Sequence, residues 1–386
     1  MYVNRWEVKL SLLLISSLTI ASMITISSSL PDMSRDFSEY PNGQALVKLS
    51  LSLPALFIAL TALLAGSYID RKGRKPLLGM ALVAYAITGS SGYWLDDLYG
   101  ILIGRALLGV CVGITMTIVT TLIADYYQGK ARQQFAGIQI AVMSLAGILF
   151  ISLGGILADI RWNVPFLLYL FSLLILPLAL RYIKEPEQPV ESAEQPVDIP
   201  VPKVIWIVFF AVMLMWILFF IIPVQIPFYL KGLGVEKNSL IGVAIASSTL
   251  FSAVASFFYA KLKSRLSFAQ LFFAGFGLMS VAFLVVAFSG TYALVIVGML
   301  LAGMGMGLLI PNANILVMQL APPAVRGRQI GRLTTFWFMG QFLSPLILLP
   351  FISSYDLETV FLGIGILTGL LGLLFLLSGR FWKQAG

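Results

Sequence analysis

Gly66-Ser-Tyr-Ile-Asp-Arg-Lys-Gly-Arg-Lys-Pro76 holds the densest charge in this chain, and it is wedged between two long apolar runs. Only 11% of the 386 residues are charged, yet Asp70 to Lys75 carries five charges around Gly73. Such a cluster is costly in hydrocarbon, where irregular backbone is tolerated only if protein or water covers it. The stretch therefore reads as a short loop at a water interface, joining two membrane helices.

The composition around it agrees. The chain is 59% hydrophobic with a mean hydropathy of +0.95. Soluble domains run nearer half apolar and about a quarter charged, so the length prior of two or three soluble domains is overridden. Histidine is absent and Cys111 is the single cysteine. That removes the commonest general base and metal ligand, Ser-His and Cys-His arrangements, an intramolecular disulfide and a cysteine metal site. No Walker sequence is present, so ATP-driven pumping is not expected. The expectation is a protein that is not an enzyme and carries no cofactor and no metal. Arg5 and Lys9 precede an apolar run from Leu10 to about Leu30. It is long for a signal-peptide core and lacks a clear small-residue cleavage site, so it reads as a first retained membrane helix.

Runs long enough to cross a bilayer can be marked twelve times, centred near Thr19, Ala55, Tyr85, Cys111, Leu145, Phe171, Leu214, Leu250, Leu278, Gly307, Gln341 and Leu367. Lys184 to Lys203 is rich in Pro and Glu and reads as a linker. It divides the chain into residues 1–183, a linker at 184–203 and residues 204–386. With both termini and the linker on one side, nineteen of the 25 Lys and Arg residues fall there, which makes that side cytoplasmic. The net charge of +8 is then a record of topology, without nucleic acid. An offset of 194 residues maps Arg71 onto Arg265, Gly109 onto Gly303, Gly113 onto Gly307, Arg132 onto Arg326 and Gly137 onto Gly331, so the halves read as a repeat.

The pattern G-x-x-x-D-R-x-G-R-K, set by Gly66, Asp70, Gly73 and Arg74, resembles the signature loop between helices 2 and 3 of the major facilitator superfamily. Leu102-Ile-Gly-Arg-Ala-Leu-Leu-Gly109 resembles that family's helix 4 motif, with an Arg four residues before a Gly. The resemblance extends over essentially the whole chain and is to bacterial drug:proton antiporters and small-metabolite exporters. It implies an all-α integral membrane fold of twelve transmembrane helices, two six-helix bundles in pseudo-twofold repeat, with substrate handled between them.

It also implies roles. Gly66, Asp70, Arg71, Gly73, Arg74 and Asp125 would form a charge relay that latches one access state, with Asp70 meeting the positive end of helix 11 near Gly331. The second-half copy, Ala260 to Ser267, has no aspartate. Arg105, read as the only basic residue well inside a span, is a functional candidate by position. The resemblance links it to proton coupling and to packing on helix 1; snorkelling to the outer interface is the other reading. No acid is marked mid-span, so Asp32 is the nearest proton carrier, placed to reach Arg105 or else an ordinary loop carboxylate. Of the antiporters' helix 5 signature only Gly154 and Gly155 remain. Gly303, Gly305, Gly307 and Pro311 suggest a bendable helix 10. Polar and aromatic residues expected to line a cavity are Gln139, Gln225, Asn312, Asn314, Trp337 and Gln341, with the Pro223–Pro227 stretch locally unwound.

The function so implied is export of a small amphipathic molecule, drug-like or metabolite, in exchange for protons, by alternating access. A polar metabolite such as a siderophore or sugar is an alternative, as is a non-transporting receptor or lipid-handling protein. The expected partners are a small-molecule substrate, protons and membrane lipid. The expected form is a monomer in a bacterial inner membrane, with both termini cytoplasmic.

Overall fold

The computed structural model describes residues 2–185 and 200–378, which divide into two compact units, Met1–Pro196 and Val197–Gly386. Most of the expected linker, residues 186–199, lies outside the described residues. No strand occurs among the described residues, as expected where hydrocarbon cannot satisfy backbone groups and a helix satisfies its own.

The first unit holds α1 (Trp6–Ile24), α2 (Gly43–Lys72), α3 (Arg74–Gly89), α4 (Leu98–Tyr126), α5 (Gly129–Ala158) and α6 (Phe171–Tyr182). The second holds α7 (Val204–Phe219), α8 (Asn238–Lys263), α9 (Phe268–Ala287), α10 (Tyr292–Leu320), α11 (Arg326–Ser354) and α12 (Leu357–Leu377). Among the described residues, eleven helical stretches are long and apolar enough to cross a membrane. The twelfth expected span is shorter: α3 has 16 residues, about 24 Å at 1.5 Å per residue, and a turn at Ser90 leads into Ser91–Trp94. Large apolar side chains stand outward on these helices, Leu174, Phe257 and Leu377 among them, as a lipid-facing surface requires.

Two spans are broken where the sequence supplies a reason. After α1, the Thr25 hydroxyl donates to Ala21 O and that of Ser29 to Ile26 O, so local bonds compete with the helix. The chain passes through a 3-10 turn at Ser27–Ser29 and resumes at Leu30–Asp36, with Pro31 in the first turn where no N–H is needed. α7 breaks at Phe220 and continues as Ile221–Gly232. The unwinding expected around Gln225 is thus confined to Phe220, because Pro223 falls within the first turn of the new segment.

The halves repeat one packing scheme. In the first unit α2 and α3 lie on α4, α1 on α5, and α3 on α6. In the second, α8 and α9 lie on α10, α7 on α11, and α9 on α12. The offset of 194 holds down to the contacting atoms. A Cβ on Gly109 would meet Pro54 O at 2.5 Å, and one on Gly303 would run into Ser248 O. A Cβ on Gly113 would meet Thr61 Cβ at 2.7 Å, and one on Gly307 would meet Ala255 Cβ at 2.8 Å. Both members of each pair are displaced by the same 194. Gly305 faces the other way, onto Gly275 O of α9. The three glycines of α10 thus permit two close crossings along a continuous helix.

Candidate functional site

Arg105 sits on α4 with no exposed surface. Its Nε donates to Ser50 O at 2.8 Å, one Nη to Ser22 O at 2.6 Å and the other to the Tyr169 hydroxyl at 2.8 Å. Each carbonyl is available for a reason written in the chain. Pro54 lies inside α2 and has no N–H, so the carbonyl four residues earlier, Ser50, lacks its helical donor. Ser22 stands in the last turn of α1, where carbonyls lose their partners as the helix ends at Ile24. A planar fork of five donors suits three acceptors from three directions. In the second unit Ser248 replaces Pro54 and Met299 replaces Arg105 under the 194 offset, and Met299 is buried. Where the helix keeps its own donor, no arginine is present.

This arrangement corrects two expectations. The partners of Arg105 are neutral, and Asp32 is not among them; Asp32 pairs with Arg35 at 3.3 Å on its own short helix. Arg105 is also not the sole buried base. Lys48 is 2% exposed, because α2 begins at Gly43 and places it in the second turn.

The charged stretch after Gly66 is interrupted by a one-residue turn only, shorter than the expected loop. α2 continues to Lys72 and α3 begins at Arg74, with Gly73 at φ +83° between them. L side chains seldom adopt that conformation, which explains this glycine. The side chains of Gly66, Asp70 and Arg71 lie outside the described residues, so that part of the expected relay has no structural account. The remainder is assembled. Arg74 Nη1 pairs with the Asp125 carboxylate, both largely buried. Glu185 supplies what the sequence reading missed: its carboxylate accepts from the backbone N–H of Arg74 and, at 3.2 Å, from that of Lys75. A carboxylate 110 residues away thus caps α3, whose own flanking residue is a glycine with no side chain. Replacing Glu185 by Ala is expected to accelerate amide hydrogen exchange at the start of α3 about fivefold, since such a cap contributes roughly 1 kcal/mol. Exchange unchanged from the parent would show the contact to be idle.

In the first unit Gln139 Nε2 donates to Ser16 Oγ at 2.8 Å and so joins α5 to α1. In the second unit the candidate residues divide. Asn312 is fully buried, donating to Phe268 O and accepting from the Tyr259 hydroxyl, both at 3.0 Å, which ties α8 and α9 to α10. Asn314 donates to Ile310 O of its own helix at 3.0 Å. These side chains are engaged within the protein. Gln225, Trp337 and Gln341 behave differently. Both amide atoms of Gln225, the indole N–H of Trp337 and Oε1 of Gln341 are buried with no protein partner among the described residues. Trp216, absent from the expected set, joins them: its N–H also lacks an acceptor, and its ring lies 5.8 Å from that of Trp337. Gly340 makes the approach possible, since a Cβ there would meet Trp216 Cβ at 2.8 Å. Trp216 follows Met215 in an unbroken apolar run, and only its neighbours on α11 mark it out.

Comparison with known proteins is consistent with this geometry. The family model described as Major Facilitator Superfamily matches residues 12–247 and 237–382. "Multidrug resistance protein 1" of Bacillus subtilis is 30% identical over 139 residues, 34% of each chain, so the match spans about a third of that relative's length. "Multi-drug resistance efflux pump PmrA" of Streptococcus pneumoniae is 24% identical over 314 residues, 77% of each. "Bacillibactin exporter" of Bacillus subtilis is 24% identical over 317 residues, 75% of this chain and 77% of that one. Among solved structures, a D-xylose-proton symporter superposes with a TM-score of 0.75 at 17% identity, covering 97% of both chains. A bacterial homolog to the human lysosomal transporter Spinster gives 0.75 at 16% identity, covering 99% of this chain and 97% of the other. This chain is a multi-pass membrane protein with the transporter fold, and it belongs to the Major Facilitator Superfamily.

Proposed function

We propose that this chain exports a small neutral or anionic amphipathic molecule across a bacterial inner membrane, in exchange for protons, by alternating access. The halves are residues 1–183 and 204–386, with 184–203 as a cytoplasmic linker. One observation carries the substrate class: among the described residues the fully buried charged side chains are Lys48 and Arg105, and the largely buried Asp125 is neutralised by Arg74. A cationic drug would need a carboxylate in that environment, whereas two buried cations favour neutral or negative ligands. The paired rings of Trp216 and Trp337 offer indole N–H groups without acceptors, and Gln225 and Gln341 add unpartnered amide atoms, a set of groups that suits an amphipathic molecule. The similarity to a bacillibactin exporter supports a siderophore-like acidic ligand as one instance of the class.

In this reading Arg74 and Asp125, with Gly66, Asp70, Arg71 and Gly73, form the cytoplasmic relay. Asp32, at the break that follows the Arg105-bonded end of α1, carries the proton. The test uses everted vesicles with an imposed proton gradient, offered catecholate chelators, neutral amphiphiles and cationic dyes. Gradient-dependent uptake of the first or second class is expected, at least about tenfold above the dyes, with matching proton release. Transport confined to cationic dyes, or uptake indifferent to the gradient, would refute it.

A further inference from the structure

A cavity of about 630 Å3 opens at the end of the first unit where α1 begins and α6 finishes, lined by Tyr2, Arg5, Glu7, Arg181, Tyr182 and Lys184. Three cations face one carboxylate there. None of the three forms an ion pair among the described residues, although the same end of the unit holds the well-paired Arg74 and Asp125. Unpaired cations around a cavity are a receptor for an anion.

The walls are built and not merely adjacent. The Tyr2 hydroxyl donates to Tyr182 O, the final residue of α6, and the Tyr127 hydroxyl donates to Val3 O at 2.7 Å. The Tyr126 hydroxyl donates to Lys184 O. Both rims are therefore held to the ends of α4 and α6. Lys184 Nζ lies 4.6 Å from the Tyr2 ring centroid, which orients the ammonium across the opening. Burial raises the Tyr2 phenol above its ordinary pKa, while Arg5 lowers it and Glu7 raises it, so both charges act on this ring.

Two features say which anion. Trp6, beside the cavity at the start of α1, is 67% exposed, and exposed Trp with Tyr marks the headgroup level of a bilayer. Below Lys184 on α6, Leu180, Pro177 and Leu173 follow at helical spacing, and all are exposed. An apolar stripe leading up to a cationic cavity matches a lipid with an anionic headgroup, acyl chain along the stripe and phosphate among the cations.

We propose that this cavity binds the phosphate of an anionic phospholipid, a site separate from the transport pathway. The test is the amount of phosphatidylglycerol retained by the full-length protein after detergent exchange, read by native mass spectrometry. Phosphatidylcholine and inorganic phosphate serve as comparison ligands. Combined Arg5→Gln, Arg181→Gln and Lys184→Gln substitution is expected to cut retention at least about tenfold, since each cation contributes near the surface. A matched variant at Lys261, Lys263 and Arg265 keeps it. Glu7→Gln is expected to raise retention, a gain that a misfolded protein would not show. The proposal is overturned if both triple variants retain the lipid equally. It also fails if phosphatidylcholine is held as well, or if millimolar phosphate displaces the lipid and so identifies a free-anion site.

Discussion

Arg105→Met, which installs the residue found at equivalent position 299, is expected to reduce transport at least about tenfold and to destabilise the first unit through the acceptors it leaves unpaired. The loss arises from what remains behind. Ser22 O, Ser50 O and the Tyr169 hydroxyl lose the donors they now share. Each orphaned buried acceptor costs about 1–3 kcal/mol, partly offset by no longer burying a charge. The second unit shows how to separate structure from function. It carries Ser248 where the first carries Pro54, so adding Pro54→Ser restores an N–H for Ser50 O. The double variant is expected to recover about 1–3 kcal/mol of stability, seen as thermal inactivation in detergent, while transport stays lost. If transport returns with stability, Arg105 only plugs a gap left by proline. Arg105→Lys keeps the charge without the fork and is expected to behave like the Met variant in transport.

Gly303→Val is expected to be the most damaging change in the second unit. Its Cβ would run into the Ser248 carbonyl and approach Ser248 Cα to 2.9 Å, and backbone atoms within a packed helix cannot step aside as a side-chain tip can. Overpacking of this kind costs about 1–3 kcal/mol and more where the obstruction is rigid. Close helix approach is also the main source of association in hydrocarbon, where apolar burial offers little. Gly109→Val should cost a similar amount, since its Cβ would lie 2.5 Å from Pro54 O. Gly137→Val is the control, because nothing lies within 4 Å of a Cβ there. Yield of monodisperse protein and melting temperature in detergent report the difference. Equal stability of the Gly303 and Gly137 variants would remove the close crossing as the explanation.

Much of the fold was legible because its causes are local. A run of some twenty apolar residues must become a helix in lipid, and charge must leave the hydrocarbon, whatever surrounds either. The 194 offset, visible as matching glycines, proved to match their contacts as well. The short α3 and the break in α7 were less legible, since Ser90 and Phe220 carry no strong local signal. The candidate site was legible only in outline. Arg105 announced itself by its burial cost, and Gly73 and Arg74 by their spacing. The burial of Lys48 was not legible, because a helix start five residues earlier leaves no mark stronger than Gly43. Among the polar residues, Asn312, Asn314 and Gln139 look no different in sequence from Gln225 and Gln341, yet the former are consumed by packing.

By itself, then, the chain's order of residues determined which segments cross the membrane, where charge is gathered and that one half echoes the other, since each depends on near neighbours. Which polar atom remains available was decided only in three dimensions. A proline frees a carbonyl on α2, a helix end frees another on α1, and the arginine that meets both comes from α4. Glu185 caps a helix 110 residues before it. A hydrogen bond between distant residues has no period or spacing to betray it, because its partners are chosen by the packing of helices.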